Sequence, residues 1–331
     1  MNLVTGGTGL VGAHLLLQLL EKGEKVRALF RSEKSIQKTK SLFIQFKQSE
    51  LFEQIEWIKG DIIDIPTLEP AFKNVVHVYH CAALISFDSA DEKQLRKINI
   101  EGTANVVNCA LAFGVEKFCY VSSIAALGDL AEKKVIITEE TEWNPEKPHS
   151  DYAISKYGAE MEIWRAQQEG LNCIVVNPGV ILGSGFWNSG SGKIFTKVSK
   201  RIPFYTKGST GFVAVEDVVT VMYQLMKSDV SGERFTLISE NINFEKLVCW
   251  IAKELHVKSP SFYAKSWMTE IGWRLDWIIS TFFFQKRTLS KSTAKSLHST
   301  DLISNEKIKK AIQFEFQPIQ EYIIKISPYF F

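Results

Sequence analysis

Thr5-Gly6-Gly7-Thr8-Gly9-Leu10-Val11-Gly12 follows the apolar run Asn2-Leu3-Val4 and opens onto Ala13-His14-Leu15-Leu16-Leu17-Gln18-Leu19-Leu20. That order predicts a strand, a tight glycine turn and a helix. Gly6 lets the chain turn, Gly9 lets backbone approach a pyrophosphate, and Gly12 lets the helix pack close on the strand. The helix N-terminus then offers unpaired N–H groups to the anion. Glycines also gather in ordinary turns; the strand before and the helix after are what make this turn a dinucleotide signal.

The rest of the chain repeats the strand and helix alternation. Residues 25–30, 55–59, 75–80, 117–121 and 171–176 are short apolar runs bounded by turns or charges, with helices expected between them. Such alternation implies an α/β fold, a Rossmann-type doubly wound parallel sheet, with ligands outside the carboxyl ends of the strands. The glycine-rich stretch 183–192 reads as a mobile flap. Beyond it, 211–215 and 216–227 suggest a strand and helix returning to the sheet, 234–239 a further strand, and the chain from 243 on a mainly helical region. The expected division is a cofactor domain of residues 1–176 plus 211–240, and a smaller, mainly helical substrate lobe of 177–210 plus 241–331.

With 39 basic and 37 acidic residues, the formal charge of +2 gives no footprint for nucleic acid. Cys81, Cys109, Cys119, Cys173 and Cys249 are scattered and form no CxxC pair, so neither a disulfide framework nor a metal site is expected. The first strand follows Met1 directly, which leaves no room for a signal peptide and sets a cytoplasmic expectation. The most apolar stretch, 277–284, falls short of the roughly 20 residues a membrane span needs. Contact with a membrane surface, and a homodimer, stay open.

Tyr152-Ala153-Ile154-Ser155-Lys156 lies in a stretch expected to be helical, so Tyr152 and Lys156 share a face. A free tyrosine titrates near about 10; an ammonium beside it favours the phenolate and makes it a usable acid/base. Spacing alone decides nothing, because Tyr223 and Lys227 repeat it. That second pair has no polar partner upstream, and reads as a packing tyrosine and a solvated lysine. The first pair has Val121-Ser122-Ser123 where a parallel strand should end, and a serine there can hydrogen-bond a substrate carbonyl.

Together these residues resemble the extended short-chain dehydrogenase/reductases, also called the epimerase/dehydratase family, over roughly the first two thirds of the chain. The resemblance rests on the glycine motif, Asp61 in Lys59-Gly60-Asp61-Ile62, His80-Cys81-Ala82-Ala83, Asn99 in Asn99-Ile100-Glu101-Gly102, the Ser-Ser strand end, Tyr152 with Lys156, and Asn177-Pro178-Gly179. It implies that Tyr152 is the acid/base, that Lys156 holds the nicotinamide ribose and tunes the tyrosine, and that Ser123 orients the substrate oxygen. Ser123 is preferred to Ser122 because Gly128 lies five residues after it, as in the family pattern. Cofactor contacts are implied for Gly6, Thr8, Gly9, Leu10, Val11 and Gly12, for Asp61 and Ile62 near the adenine, for Ala82 and Ala83, and for Tyr152, Lys156 and Pro178. Asn99 is expected to be structural, and a helix N-cap is the bland alternative for Asp61.

Arg31 lies nineteen residues after Gly12, close to the position at which an acidic residue would grip a ribose 2′-hydroxyl. A guanidinium there favours NADP(H), with NAD(H) as the alternative; Lys34 adds to that preference and Glu33 subtracts from it. Dehydration needs an acidic pair where this chain has Ile124-Ala125-Ala126. Nucleotide-sugar epimerases place an arginine before the late strand, where this chain reads Ser209-Thr210-Gly211-Phe212-Val213, although Asn177 before Pro178 resembles their arrangement. What is left resembles dihydroflavonol-reductase-like and 3β-hydroxysteroid-dehydrogenase-like enzymes, which implies hydride exchange with a carbonyl or secondary alcohol of a largely apolar small-molecule substrate. An epimerase, and a non-catalytic NADP(H)-sensing protein, are the alternatives. The C-terminal Trp267, Trp273, Trp277 and Phe282-Phe283-Phe284, with Lys265, Arg274, Lys286 and Arg287 among them, read first as core of the small lobe, next as a substrate wall, and last as a membrane-surface helix.

Overall fold

The computed structural model describes all residues except 131–134, 284–286 and 288. Phe284 and Lys286, and the side chain of Phe283, therefore lie outside the described residues.

Strands β1 (Asn2–Thr5), β2 (Val26–Phe30), β3 (Glu56–Lys59), β4 (His77–His80), β5 (Lys117–Val121) and β6 (Cys173–Pro178) come first, followed by β7 (Val180–Leu182), β8 (Ser209–Ala214), β9 (Glu233–Leu237) and β10 (Glu240–Asn243). Seven of them form one parallel sheet in the order β9-β6-β5-β4-β1-β2-β3. The order reverses at β1, whose Thr5 lies opposite His80 of β4. A crevice at that reversal is where a doubly wound sheet takes its ligand. Residues in β1, β2, β5 and β6 are buried throughout, as a sheet covered on both faces requires.

Helices α1 (Leu10–Glu21), α2 (Glu33–Gln45), α3 (Gly102–Ala112), α4 (Asp151–Gln168) and α5 (Val215–Met226) cover that sheet. Leu15, Leu16, Leu19 and Leu20 put one face of α1 into a core shared with Val218, Val221, Met222 and Leu225 of α5. On the other face Val106, Val107 and Ala110 of α3 meet Ala159 and Ile163 of α4.

The strand expected at 211–215 forms as β8, yet it does not rejoin the main sheet: it pairs with β7 and β10 in a second, three-stranded sheet. Only β9 returns, to the edge beside β6. Around the small sheet, α6 (Phe244–Glu254) and a late helix supply a separate core that includes Phe212, Leu247, Ile251, Tyr322 and Ile323. The expected flap is also different. Its Ser184 receives a hydrogen bond from Gln45 at 2.9 Å, its Phe186 packs on Ala13 and Leu42, and His14 bonds the Ser184 carbonyl at 3.2 Å. Contacts to α1 and α2, invisible in a glycine count, pin the segment to the sheet domain. The C-terminal region from α6 onward is mainly helical, with α7 (Ser266–Phe283) and α8 (Lys291–Ser296) packed together.

Candidate active site

The glycine turn divides its labour. Gly6 sits at φ +71°, and a Cβ on it would lie 2.6 Å from the Ala82 nitrogen; a Cβ on Gly12 would lie 2.2 Å from the Gly6 carbonyl oxygen. Both are demanded by the fold of the turn itself. At Gly9 an added Cβ meets only the Gly6 oxygen, at 3.4 Å, so this glycine leaves open space above the turn. Gly9 is the N-cap of α1 and no side chain caps that helix, so its first N–H groups are left for an external acceptor. Thr39 of α2 holds the turn by donating to the Gly7 carbonyl at 2.9 Å. An open cradle over uncapped N–H groups fits the pyrophosphate of a dinucleotide. Leu10 and Val11 bring backbone to that cradle while their side chains pack, Leu10 near Ala13 and Phe186, Val11 against the main core.

Arg31 follows β2 and Asp61 follows β3, and their side chains approach to 3.9 Å, with the Arg31 side chain mostly exposed. Asp61 does not cap a helix: Asp64 holds the N-cap position of the next helix, while Asp61 Oδ1 accepts from the Ile63 N–H at 3.2 Å. Ile62 turns its side chain into the core, close over Gly102, so any contact it makes with a cofactor comes from its main chain. Ala82 is half-buried over Gly6, and Ala83 is exposed on the same loop. That loop is clamped by Asn99, whose amide accepts from Leu84 N–H at 2.7 Å and donates to the Leu84 carbonyl at 3.0 Å and Ser155 Oγ at 2.9 Å. Asn99 projects from a π-helical turn, Arg96–Glu101. Its expected structural role is thus a specific one, setting the wall of the crevice.

At the carboxyl end of β5, Ser123 caps a short turn by accepting from Ala125 N–H at 3.1 Å. Tyr152 stands in the first turn of α4, which Ser150 caps, and its ring meets Phe87 at 5.5 Å between centroids. Burial pushes the Tyr152 hydroxyl up to about 12, and the neighbouring Ser123 partly offsets that shift. Ser123 and Tyr152 thus stand as neighbours where α4 packs on the turn after β5. Lys156 is buried one turn further along α4, and donates to Tyr120 Oη at 2.7 Å and to the Val121 carbonyl at 2.8 Å. Burial lowers its ammonium to about 7, with Glu160 and Cys81 acting in the other direction. The expectation that Lys156 sits against Tyr152 and lowers its pKa is corrected here: the lysine is held by Tyr120 of the strand, and the tyrosine is shifted upward by burial.

Sequence reading missed the groups that hold this lysine. Tyr120 stacks on His80 at 5.5 Å, and His80 bridges Thr5 at 2.6 Å and Thr103 at 3.0 Å; burial keeps this imidazole down at about 3, hence neutral. Glu160, one turn after Lys156, is fully buried and receives Asn177 Nδ2 at 2.5 Å and Arg234 at 3.3 Å. Burial raises the Glu160 carboxyl, and Arg234 and Asn177 pull it back. Asn177 Nδ2 also donates to the Ser123 carbonyl at 3.0 Å, so the network runs from β9 through Glu160 to the serine. Spacing of four from Lys156 was the only available signal for Glu160. Nothing local marks Arg234. The repeated pair resolves as expected: Lys227 ends α5 in an ion pair with Glu24 at 2.6 Å, away from any such network. Pro178 is buried at the end of β6, opposite Leu237.

A cavity of about 660 Å³ opens between the lobes on the Phe87 ring that meets Tyr152; the tyrosine itself does not line it. Phe87 and Asp151 line it from the sheet side, Trp273, Arg287 and Lys291 from the C-terminal side. Among the described aromatic residues of this segment, Trp273 is on this wall and Trp267, Trp277 and Phe282 face outward, so the expectation of core packing fails for them. Among the described residues no cluster of His, Cys, Asp or Glu could hold a metal, and no helix is long and apolar enough to cross a membrane.

Comparison with known proteins gives the same picture. A Synechocystis sp. protein provisionally named dihydroflavonol 4-reductase is 30% identical over 274 residues, covering 80% of this chain and 75% of its own. Sterol demethylase protein B of Methylococcus capsulatus is 30% identical over 252 residues, covering 76% and 73%. The crystal structure of gox2253 superposes with a TM-score of 0.81 at 28% identity, over 100% of this chain and 97% of that one. The profile of the NAD dependent epimerase/dehydratase family matches residues 2–238. With its glycine cradle, its parallel sheet and that match, the chain belongs to the NAD dependent epimerase/dehydratase family, the extended short-chain dehydrogenase/reductases, and is an NAD(P)-dependent oxidoreductase.

Proposed function

We propose that this enzyme exchanges a hydride between NADP(H) and a carbonyl or secondary alcohol on a largely apolar small molecule. The observation that carries the reading is the placement of Ser123 at the end of β5 next to the first turn of α4, which carries Tyr152, with Lys156 buried one turn further along that helix. A bound nicotinamide would supply or accept the hydride. In reduction, the Tyr152 hydroxyl donates its proton to the substrate oxygen, and Ser123 Oγ hydrogen-bonds that oxygen as charge builds on it. Burial favours the protonated phenol, the form that reduction requires. Arg31, exposed beside Asp61, supplies a fork for the 2′-phosphate and supports NADP(H) over NAD(H). Ala82, Ala83 and Pro178 would flank the cofactor, and Lys156 would hold its ribose.

The Phe87 and Trp273 rings support an apolar substrate skeleton; Arg287, Lys291 and nearby serines suit its polar substituents. Two relatives whose names point to a flavonoid-type reductase and to sterol chemistry fit such a skeleton. Strand β8 brings no arginine for a sugar diphosphate, which disfavours epimerisation. The test is NADPH oxidation over a panel of ketones, aldehydes, sterols and flavonoid-like compounds, with UDP-sugars followed by product analysis. Tyr152→Phe should abolish turnover while leaving NADPH binding within a few-fold; retained turnover would refute the mechanism. NADPH binding without turnover on any carbonyl would favour a sensing protein instead.

A further inference from the structure

Helix α7 is built inside out. Its inner face, against α8 and the residues flanking it, carries Trp273 on the cavity wall and otherwise small or polar groups: Thr269 bonds His298 at 2.9 Å, Gly272 lies near Leu289, Asp276 accepts from Leu289 N–H at 3.2 Å, and Ser280 is buried. The opposite face carries Trp267, Ile271, Leu275, Ile278 and Phe282, at successive spacings of four, four, three and four, which is a single helical stripe. These side chains are 61%, 49%, 52%, 43% and 76% exposed. None belongs to the buried apolar clusters among the described residues. A soluble helix that must bury a face buries its large apolar residues, so this polarity calls for an apolar phase outside the protein.

Charge selects that phase. Residues 258–299 contain seven lysines and arginines against two acids, net +5, while the remainder of the chain carries −3 of the overall +2. Within that segment Arg274 is paired with Glu270 at 2.6 Å, Asp276 is engaged by the Leu289 backbone, and Arg287, 3.9 Å from Asp88, shares the cavity wall with Lys291 and Lys295, while Lys258 and Lys265 flank the start of the stripe. A second copy seated symmetrically on this face would bring one +5 segment against another. An anionic lipid surface offers apolar depth and opposite charge together, the combination that holds an amphipathic helix with tryptophan and basic neighbours in an interface.

We propose that α7 is a membrane-docking helix, inserting the Trp267 to Phe282 stripe into an anionic lipid surface. This does not depend on which reaction the enzyme catalyses. The test is flotation of the full-length protein with vesicles of phosphatidylcholine, alone or mixed with phosphatidylglycerol. The protein should rise with the mixed vesicles and far less with phosphatidylcholine alone. Trp267→Ser with Ile271→Ser and Leu275→Ser should weaken partitioning by more than about tenfold, since each buried side chain contributes that order. NADPH binding reports that this variant is folded, and Leu275→Ser alone, at several-fold, is the milder version. Wild-type protein that stays down with both vesicles overturns the proposal, as does a folded triple variant that floats like wild type. A wild-type dimer that the triple variant dissolves, without flotation by either, overturns it in favour of a second copy.

Discussion

Lys156 Nζ lies 2.7 Å from Tyr120 Oη, and this bond, not one to Tyr152, fixes the lysine in the site. Tyr120 is in turn stacked on a neutral His80, so β4, β5 and α4 are locked together at the carboxyl end of the sheet. The carboxylate that balances the lysine, Glu160, is held by Asn177 of β6 and, from the edge strand β9, by Arg234.

Glu160→Ala removes the acceptor shared by Asn177 and Arg234. Breaking a buried pair leaves charge and amide without partners, and should cost about 3 kcal/mol in urea unfolding. Arg234→Ala should then cost less in the same background than in wild type, because its pair with Glu160 is already gone while its bonds to the Glu139 carbonyl are lost in both. Additive losses would show that the pair is not energetically coupled.

The two glycines of the cradle should separate folding from binding. Gly12→Ala places a methyl 2.2 Å from a carbonyl oxygen inside the turn, and the protein should lose soluble expression or cooperative melting. Gly9→Ala meets only one oxygen at 3.4 Å. That variant should melt like wild type yet bind NADPH at least about tenfold more weakly, because the methyl fills the approach to the pyrophosphate. Fluorescence titration of NADPH checks it.

Arg31→Ser should weaken NADPH binding by about tenfold to a hundredfold, the worth of a charge-assisted hydrogen bond, and leave NADH nearly unchanged. Equal effects on both cofactors would mean that Arg31 does not meet the 2′-phosphate.

The raised Tyr152 sets different pH responses for the two directions. Alcohol oxidation needs the phenolate, which below a pKa of about 12 grows with pH, so log kcat/KM should climb with a slope near one through neutral pH. Carbonyl reduction needs the phenol, already dominant there, and should show no such climb. Initial rates in both directions across the same buffers decide the matter.

Several strand ends were legible because burial on both faces leaves an apolar signature, as in Lys117–Val121. The glycine turn was legible because steric exclusion is local: Gly6 and Gly12 are forced by atoms within the same strand, turn and helix or by the adjoining strand end. The fate of β8 was not legible, because an apolar strand carries no label for the sheet it joins, and two partners elsewhere in the chain claimed it. The stretch 183–192 misled for a related reason, since glycine content reports backbone freedom and not the contacts that Gln45 and His14 make to Ser184.

The sequence by itself determined the α/β architecture and the glycine turn, because each depends on short-range geometry with a fixed spacing, and it singled out Ser123, Tyr152 and Lys156 as candidates. Only the tertiary structure decided what those groups experience. Which hydroxyl holds Lys156, which charge lies behind it, and which face of α7 looks outward depend on residues up to 78 positions apart, such as Lys156 and Arg234. Electrostatic fields and packing act through space, and the chain brings such residues together only on folding.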